Sequence, residues 1–401
     1  MQINLKQLKL LPFVACVLLI LRTAVSFNVF AFLLPVSYAV WGGCILCFFC
    51  MLFLCSREMQ ITKLELSVLI YFLLLCVITL LNGTDMKGAV YNTIEVLLLL
   101  MLFNYYRHRL PFLIKTLAFI YSVVLYINLA MMIIFPTWMF HAKDVNDSFL
   151  LGGNYNAMGC RMICGIVTSV LCVKFSRLWL INTIALFIVS LLTLLLVGSM
   201  TSLSNIVIFT FLCLIPSLRL KKLALLSFFV FYLLFQFIVV FSGEGIQHNE
   251  TAVYIIEEIL HKDITFTNRT YLWDAAGKLF ASSPLIGYGC VDNDWYLINL
   301  SSMAIGPHNF ILAVLINGGL LLISAFLYIC VVVIRRVLPY FDNMACLLLM
   351  GIVTLLFMMT MEVYPTFFII YLLTLVYFYP NLCDNDTSKI ETETAIQVTE
   401  T

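Results

Sequence analysis

Apolar runs of about twenty residues recur along almost the whole chain, and no other feature constrains the fold as tightly. A helix of roughly 20 residues, rising 1.5 Å per residue, crosses the hydrocarbon core of a bilayer, and it satisfies its own backbone polar groups on the way. The runs lie near 10–26, 32–54, 64–81, 89–106, 110–135, 157–173, 178–197, 201–217, 223–242, 308–334, 344–361 and 366–380, with Arg22 interrupting the first. Lys6 and Lys9 precede that first run and no small-residue cleavage signature follows it, which predicts a retained span, not a signal peptide. The expected fold class is an all-α polytopic membrane protein with about 12 transmembrane helices and one long extracytoplasmic loop containing short interfacial helices. Composition agrees: 63% of residues are apolar and 11% charged, far from a soluble domain. A net charge of +1 gives no reason to expect nucleic acid as a partner.

Charge bias orients the bundle. With the N-terminus inside, the inner segments hold fifteen Lys and Arg, among them Lys115, Lys174, Lys221, Lys222, Arg335 and Arg336. The outer segments hold six: Arg22, Lys87, Lys143, Lys262, Arg269 and Lys278. Both termini are therefore expected in the cytoplasm. The organisation that follows is a transmembrane bundle of about nine spans over 1–242, an extracytoplasmic loop over 243–307, further spans over 308–380, and a Thr- and Glu-rich disordered cytoplasmic tail over 381–401.

The 14 cysteines do not form a metal or disulfide framework by their placement. Cys44, Cys47 and Cys50 lie inside an apolar run, where lipid disfavours the thiolates that zinc requires. They read as small packing residues. No Gly-Lys-Ser/Thr phosphate loop occurs, so no ATP is implied, and no metal or other cofactor is expected. Asp292-Asn293-Asp294 is similar to the paired carboxylates of metal-dependent glycosyl transferases, but it also reads as a solvated turn.

Two connections are long, 136–156 and above all 243–307. The second carries Tyr254, Phe266, Tyr271, Trp273, Phe280, Tyr288, Trp295 and Tyr296, so composition argues for structure, not disorder. Thr251 to His261 predicts an interfacial helix, and a second helix is expected after Asn268, ending at Ser283-Pro284. Gly287-Tyr288-Gly289 then makes a turn, and Gly306-Pro307 delivers His308 to the mouth of the next span. The aromatics admit two readings: a headgroup-level belt, or faces for sugar rings, with Trp273 and Tyr288 as candidate substrate contacts.

Intramembrane charge is scarcer. Arg161 lies about one turn into the sixth run, beneath Gly152-Gly153-Asn154-Tyr155-Asn156. Its insertion costs on the order of 2.5–3.5 kcal/mol, so it either faces a polar cavity or an anion, or snorkels to the interface. Glu95 and Glu362 are the other candidates, and Glu362 at a helix end reads equally as an exposed residue. Arg161 and Arg269 suit phosphate, and His308 suits proton exchange near neutral pH.

Asn268-Arg269-Thr270-Tyr271-Leu272-Trp273, then Ser283-Pro284-Leu285-Ile286-Gly287-Tyr288-Gly289, then His308-Asn309 with Asn317-Gly318-Gly319 further on, resembles the signature of the O-antigen ligase and polymerase family over roughly 150–335. Gly153-Asn154-Tyr155-Asn156 is similar to the family's Asn-containing motif before a span. The resemblance implies a bacterial inner-membrane glycosyltransferase, with its active site facing the periplasm, that takes glycan from a polyprenyl-diphosphate donor. It implies His308 as the catalytic histidine, Arg269 as a diphosphate ligand, and Asn309 as a neighbouring substrate contact. The expected partners are a polyprenyl-diphosphate-linked oligosaccharide, membrane lipid, a chain-length regulator and a flippase. The first reading is a polymerase of O-antigen, capsule or exopolysaccharide repeat units. The alternatives are a ligase of the same fold and a lipid-linked glycan flippase. One departure stands out: Gly198-Ser199-Met200 replaces the family's frequent Ser-Arg, leaving Arg161 to supply that charge or the diphosphate to be held differently.

Overall fold

The computed structural model describes residues 11–25, 31–55, 60–135, 158–259, 263, 266, 268–302 and 304–399, and no strand occurs among them. The chain is a multi-pass membrane protein. Among the described residues, eight helical segments are long and apolar enough to cross a membrane: Leu34–Leu54, Lys63–Asn82, Met86–Tyr105, Leu110–Ile134, Leu178–Val197, Leu218–Val240, Phe310–Tyr340 and Thr366–Cys383. At the four remaining expected positions stand shorter apolar helices, Leu11–Ala24, Met158–Cys172, Met200–Leu214 and Asn343–Met358. These have 14 to 16 residues, which at 1.5 Å per residue is about 21–24 Å, short of a full hydrocarbon core. The connection 136–156, including Asn154 and His141, lies outside the described residues.

In chain order the helices are α1 (Leu11–Ala24), α2 (Leu34–Cys55), α3 (Lys63–Asn82), α4 (Met86–Tyr105), α5 (Leu110–Ile134), α6 (Met158–Cys172), α7 (Leu178–Val197), α8 (Met200–Leu214), α9 (Leu218–Leu234), α10 (Arg269–Ser282), α11 (Asn293–Asn299), α12 (Phe310–Val337), α13 (Asn343–Met358) and α14 (Thr366–Thr399). Local chemistry sets their ends. Thr62 and Glu65 form a reciprocal capping box at α3, and Gly83 (φ 65°) closes it in the left-handed conformation. Asp85, Asp292, Asn309 and Asp342 cap α4, α11, α12 and α13. Asp292 therefore spends a carboxylate oxygen on the Trp295 amide at 2.8 Å, which is a structural use of the Asp292-Asn293-Asp294 run.

Helix α6 is the axis of the bundle. Every residue from Met158 to Cys172 is buried, because α5, α7, α8, α13 and α14 all pack on it. Small residues admit neighbours closely: a Cβ on Gly351 would sit 2.5 Å from Val167, and one on Gly159 2.3 Å from the Ser202 hydroxyl. Uncharged polar groups also link helices. Tyr126 donates to Asn182 (2.8 Å), whose amide donates to Ser122 (3.0 Å) and Ser169 (2.9 Å), while Thr168 and Tyr371 share a 2.7 Å bond. Such bonds contribute on the order of 0.6 kcal/mol each in a bilayer.

The two ends of the bundle differ. At one end Lys174 lies over Tyr379 (5.2 Å), Lys115 over Phe175 (5.2 Å) and Lys222 over Phe341 (5.0 Å), and Arg336 donates to Asn381 (3.1 Å). The opposite end carries α10, α11 and His308. The last helix runs on to Thr399 with Pro380 inside it, where composition predicts a disordered tail. No glycine or further proline follows Pro380 to stop it.

The loop region was partly legible. Asn268 and Ser283 bound α10 as expected, and the helix expected over 251–261 is present as one α-helical turn, Glu250–Val253, that runs on into a π-helical stretch, Tyr254–Ile259. Helix α12 is not continuous. Gly318 (φ −150°, ψ 17°) and Gly319 (φ 57°, ψ −154°) interrupt it, and residues 284–289 dock into the break. Leu320 and Leu321 amides donate to the Pro284 and Leu285 carbonyls (2.8 and 3.1 Å), and Tyr288 and Gly289 amides donate to Ile316 and Asn317 (2.8 and 2.7 Å). The same loop is tied to the α3–α4 corner: Thr84 donates to the Tyr288 carbonyl at 2.9 Å and the Cys290 amide to Thr79 at 2.8 Å. The backbone groups freed by the break are thus satisfied by a neighbouring segment, as a non-helical stretch at membrane depth requires.

Candidate functional site

Two residues from distant parts of the chain converge on one carboxylate. Glu362 lies in the connection between α13 and α14 and is only 6% exposed. Its Oε1 accepts from Arg269 Nη2 at 3.0 Å, and its Oε2 lies 2.9 Å from His308 Nδ1. Burial pushes the Glu362 carboxyl up. The hydrogen bond and charge of His308 and the Arg269 guanidinium outweigh that, and hold it below the usual carboxylate range. In the neutral form of His308, an ionised Glu362 fixes the ring proton on Nδ1, and Nε2 then carries the lone pair. That arrangement is the one a general base needs, with a carboxylate fixing the tautomer.

The backbone supports the same conclusion. His308 has φ 47°, and Asn268, immediately before Arg269, has φ 64°. Non-glycine residues in this region cost on the order of 1–3 kcal/mol and persist where the surroundings over-determine them. Arg269 opens α10, so its side chain leaves the first turn toward the 358–365 connection. Its Nε is buried without a hydrogen-bond partner among the described residues, while Nη2 holds Glu362. The guanidinium thus keeps donor capacity for an anion.

The remaining sequence candidates are placed as follows. Asn309 is 0% exposed, and its amide is engaged inside the protein: Oδ1 accepts from the Leu312 amide (3.0 Å), and Nδ2 donates to Gln236 (3.0 Å) and the Thr360 carbonyl (3.3 Å). It holds the start of α12 and does not present a free amide to substrate. Trp273 is 1% exposed, with its ring 5.9 Å from Phe266, so it packs α10 onto the bundle. That burial corrects the expectation of an open sugar-stacking face at this residue. Tyr288 donates to the Leu279 carbonyl at 3.0 Å and packs 5.2 Å from Trp295, half-buried at the loop surface.

Arg161 is buried, not snorkelled. It donates to the Thr23 carbonyl at 3.2 Å and lies 5.9 Å over Phe368. Met200 is 61% exposed, whereas Ser199 and Ser202 at the same helix start are buried. Gly159 packs on Ser202, whereas Arg161, two residues on and so on the far side of α6, points to Thr23 and Phe368. A further ion pair, Arg22–Glu95 at 3.2 Å with Arg22 4.6 Å over Trp41, explains how Arg22 is tolerated in the first apolar run.

Sequence reasoning weighed Glu362 as an exposed helix end and did not select it. It passed over Gln236 altogether, although an amide in the apolar stretch 233–241 is a visible signal. Among the described residues no group of three or more His, Cys, Asp or Glu is placed to hold a metal ion.

Residues 185–327 match the family model described as O-Antigen ligase, and no curated protein matches the chain. The matched region contains Arg269, the 283–289 loop, His308 and the Gly318–Gly319 break, and it ends before Glu362.

Proposed function

From the premise that this membrane protein carries the region of the O-antigen ligase/polymerase family, we propose that it is a polysaccharide polymerase. It joins polyprenyl-diphosphate-linked oligosaccharide repeat units of O-antigen, capsule or exopolysaccharide. The observation that carries the reading is the Glu362 carboxylate shared by Arg269 and His308. The acceptor sugar hydroxyl gives its proton to His308 Nε2 as its oxygen bonds to the anomeric carbon of the donor. The bond from that carbon to the diphosphate breaks, and the lipid diphosphate leaves with the electron pair against Arg269. The donor bond is already activated, so neutralising the leaving group and removing one proton suffice. Arg161 supplies positive charge from the α6 side of the same end. The site end faces the outside of a bacterial inner membrane, which agrees with the gathering of Lys and Arg at the opposite end. A flippase and a chain-length regulator are the proteins such a polymerase works beside.

Purified protein incubated with lipid-linked repeat units tests this. Lengthened lipid-linked chains support the polymerase. Transfer of an intact chain only to a different lipid or protein acceptor would make it a ligase of the same fold. Movement across vesicles with no new glycosidic bond would overturn the enzymatic reading in favour of a flippase.

A further inference from the structure

Helix α9 ends in a π turn over Phe235–Val240, closed by the Phe241 amide donating to the Gln236 carbonyl at 3.1 Å. Such turns insert a residue into a helix and occur disproportionately at functional sites. Here the turn directs the one amide of an apolar segment inward: Gln236 is 3% exposed, while Phe237 and Ile238 face outward at 61% and 52%. Gln236 meets Asn309 in a reciprocal pair. Asn309 Nδ2 donates to Gln236 Oε1 at 3.0 Å, and Gln236 Nε2 donates to Asn309 Oδ1 at 3.2 Å. Asn309 also donates to the Thr360 carbonyl at 3.3 Å, and the Phe310 amide donates to the Met359 carbonyl at 2.9 Å.

These bonds tie three separate pieces of chain together: the end of α9, the residue after His308, and the residues just before Glu362. His308 is held at φ 47°, a conformation it keeps only under such constraint. We propose that Gln236 is a positioning residue. Its amide clamps Asn309 against the 359–360 backbone, and so sets His308 Nδ1 and Glu362 at hydrogen-bonding distance with Nε2 presented to the acceptor. The inference rests on the reading of His308 as the base, but the geometry it concerns can be observed without turnover.

The test compares Gln236→Leu, which removes both amide bonds, with Gln236→Glu, which keeps the acceptor for Asn309. Phe237→Leu is the control on the outward face. Full-length protein labelled with 15N-histidine, with the His308 signal assigned from a His308→Gln spectrum, reports the tautomer and the Nδ1 hydrogen bond. Transfer is measured with lipid-linked glycan extracted from cells that make it. The expected result is loss of the single Nδ1-protonated His308 signal in Gln236→Leu. With it kcat falls about 10- to 100-fold, the scale of a misplacement near 1 Å, and donor KM stays within about threefold. Gln236→Glu should recover part of both, and Phe237→Leu should match wild type. An unchanged His308 signal in Gln236→Leu overturns the proposal, whether or not activity falls with the melting temperature, since that pattern is a structural role alone. A changed signal in Gln236→Leu, together with full activity of His308→Gln, would leave the positioning intact and remove the base assignment instead.

Discussion

Replacing Glu362 by Gln keeps the side chain's volume and removes its charge, so it isolates what the shared carboxylate does. The wild-type carboxylate makes two charge-assisted contacts, to Arg269 at 3.0 Å and His308 at 2.9 Å. Contacts of this kind contribute about 1.5–3 kcal/mol each, and a loss of that size in the transition state is roughly a 10- to 150-fold fall in rate. An amide can accept through only one oxygen. If that oxygen stays on Arg269, the amide NH2 faces His308 Nδ1 and donates to it. The ring proton then moves to Nε2, where the lone pair is required, and inversion of a base in this way costs up to about 10⁴-fold. The neutral amide also ceases to compete with an incoming diphosphate for the Arg269 guanidinium. Glu362→Gln should therefore lower kcat by between about 10-fold and about 10⁴-fold while donor KM holds steady or falls. Steady-state transfer by purified protein, at matched folded amounts and with donor and acceptor varied separately, measures both constants. A kcat within about twofold of wild type, or a defect confined to a raised donor KM, would refute the argument that Glu362 orients the base.

The docked loop predicts a sharp contrast between glycines: a Cβ on Gly287 (φ 60°) would stand 2.4 Å from the Ile316 carbonyl and 2.6 Å from the Gly318 amide, whereas one on Gly277 would meet nothing within 4 Å. Gly287→Ala should lower the melting temperature in detergent by the equivalent of about 1–3 kcal/mol or more, and Gly277→Ala, at a half-buried position of α10 with open space for a Cβ, should hold or raise it. Because the Glu362 carboxyl is depressed in the folded protein, its pairing stabilises the fold above the ordinary value of 4.5 and is lost as pH falls below it. The melting midpoint of wild type should accordingly drop more steeply between about pH 5 and pH 3 than that of Glu362→Gln. For sidedness, Asp263→Cys in a cysteine-free background should react with an impermeant reagent in cells with a permeabilised outer barrier, and Arg335→Cys only after the inner membrane is opened; the reverse pattern would invert the topology.

What could be read from the sequence, and what could not, follows from how local each determinant is. Helix α7 occupies 178–197 as expected because an apolar run in lipid fixes its own hydrogen bonds, and α10 begins after Asn268 and ends at Ser282 because turn residues bound it. The break in α12 was not legible. Asn317-Gly318-Gly319 within an apolar run reads as close packing until a second segment, about thirty residues earlier, supplies the carbonyls and amides that satisfy it. Trp273 failed for a different reason: aromatic content says that a segment is structured and does not say which face of α10 turns inward. Glu362 is the most instructive case. Its partners lie 93 and 54 residues away, so nothing in its neighbourhood separates an exposed helix end from a buried clamp. His308 and Arg269 were each visible as residue types suited to a task, yet the structure joins them through a residue that sequence reasoning set aside. That join matters for the proposed chemistry, because one carboxylate would then govern both the cation proposed to meet the leaving group and the imidazole proposed to take the proton. In the proposed mechanism, a diphosphate that drew Arg269 toward itself would leave more of the Glu362 charge on His308, coupling donor binding to base activation through a single side chain.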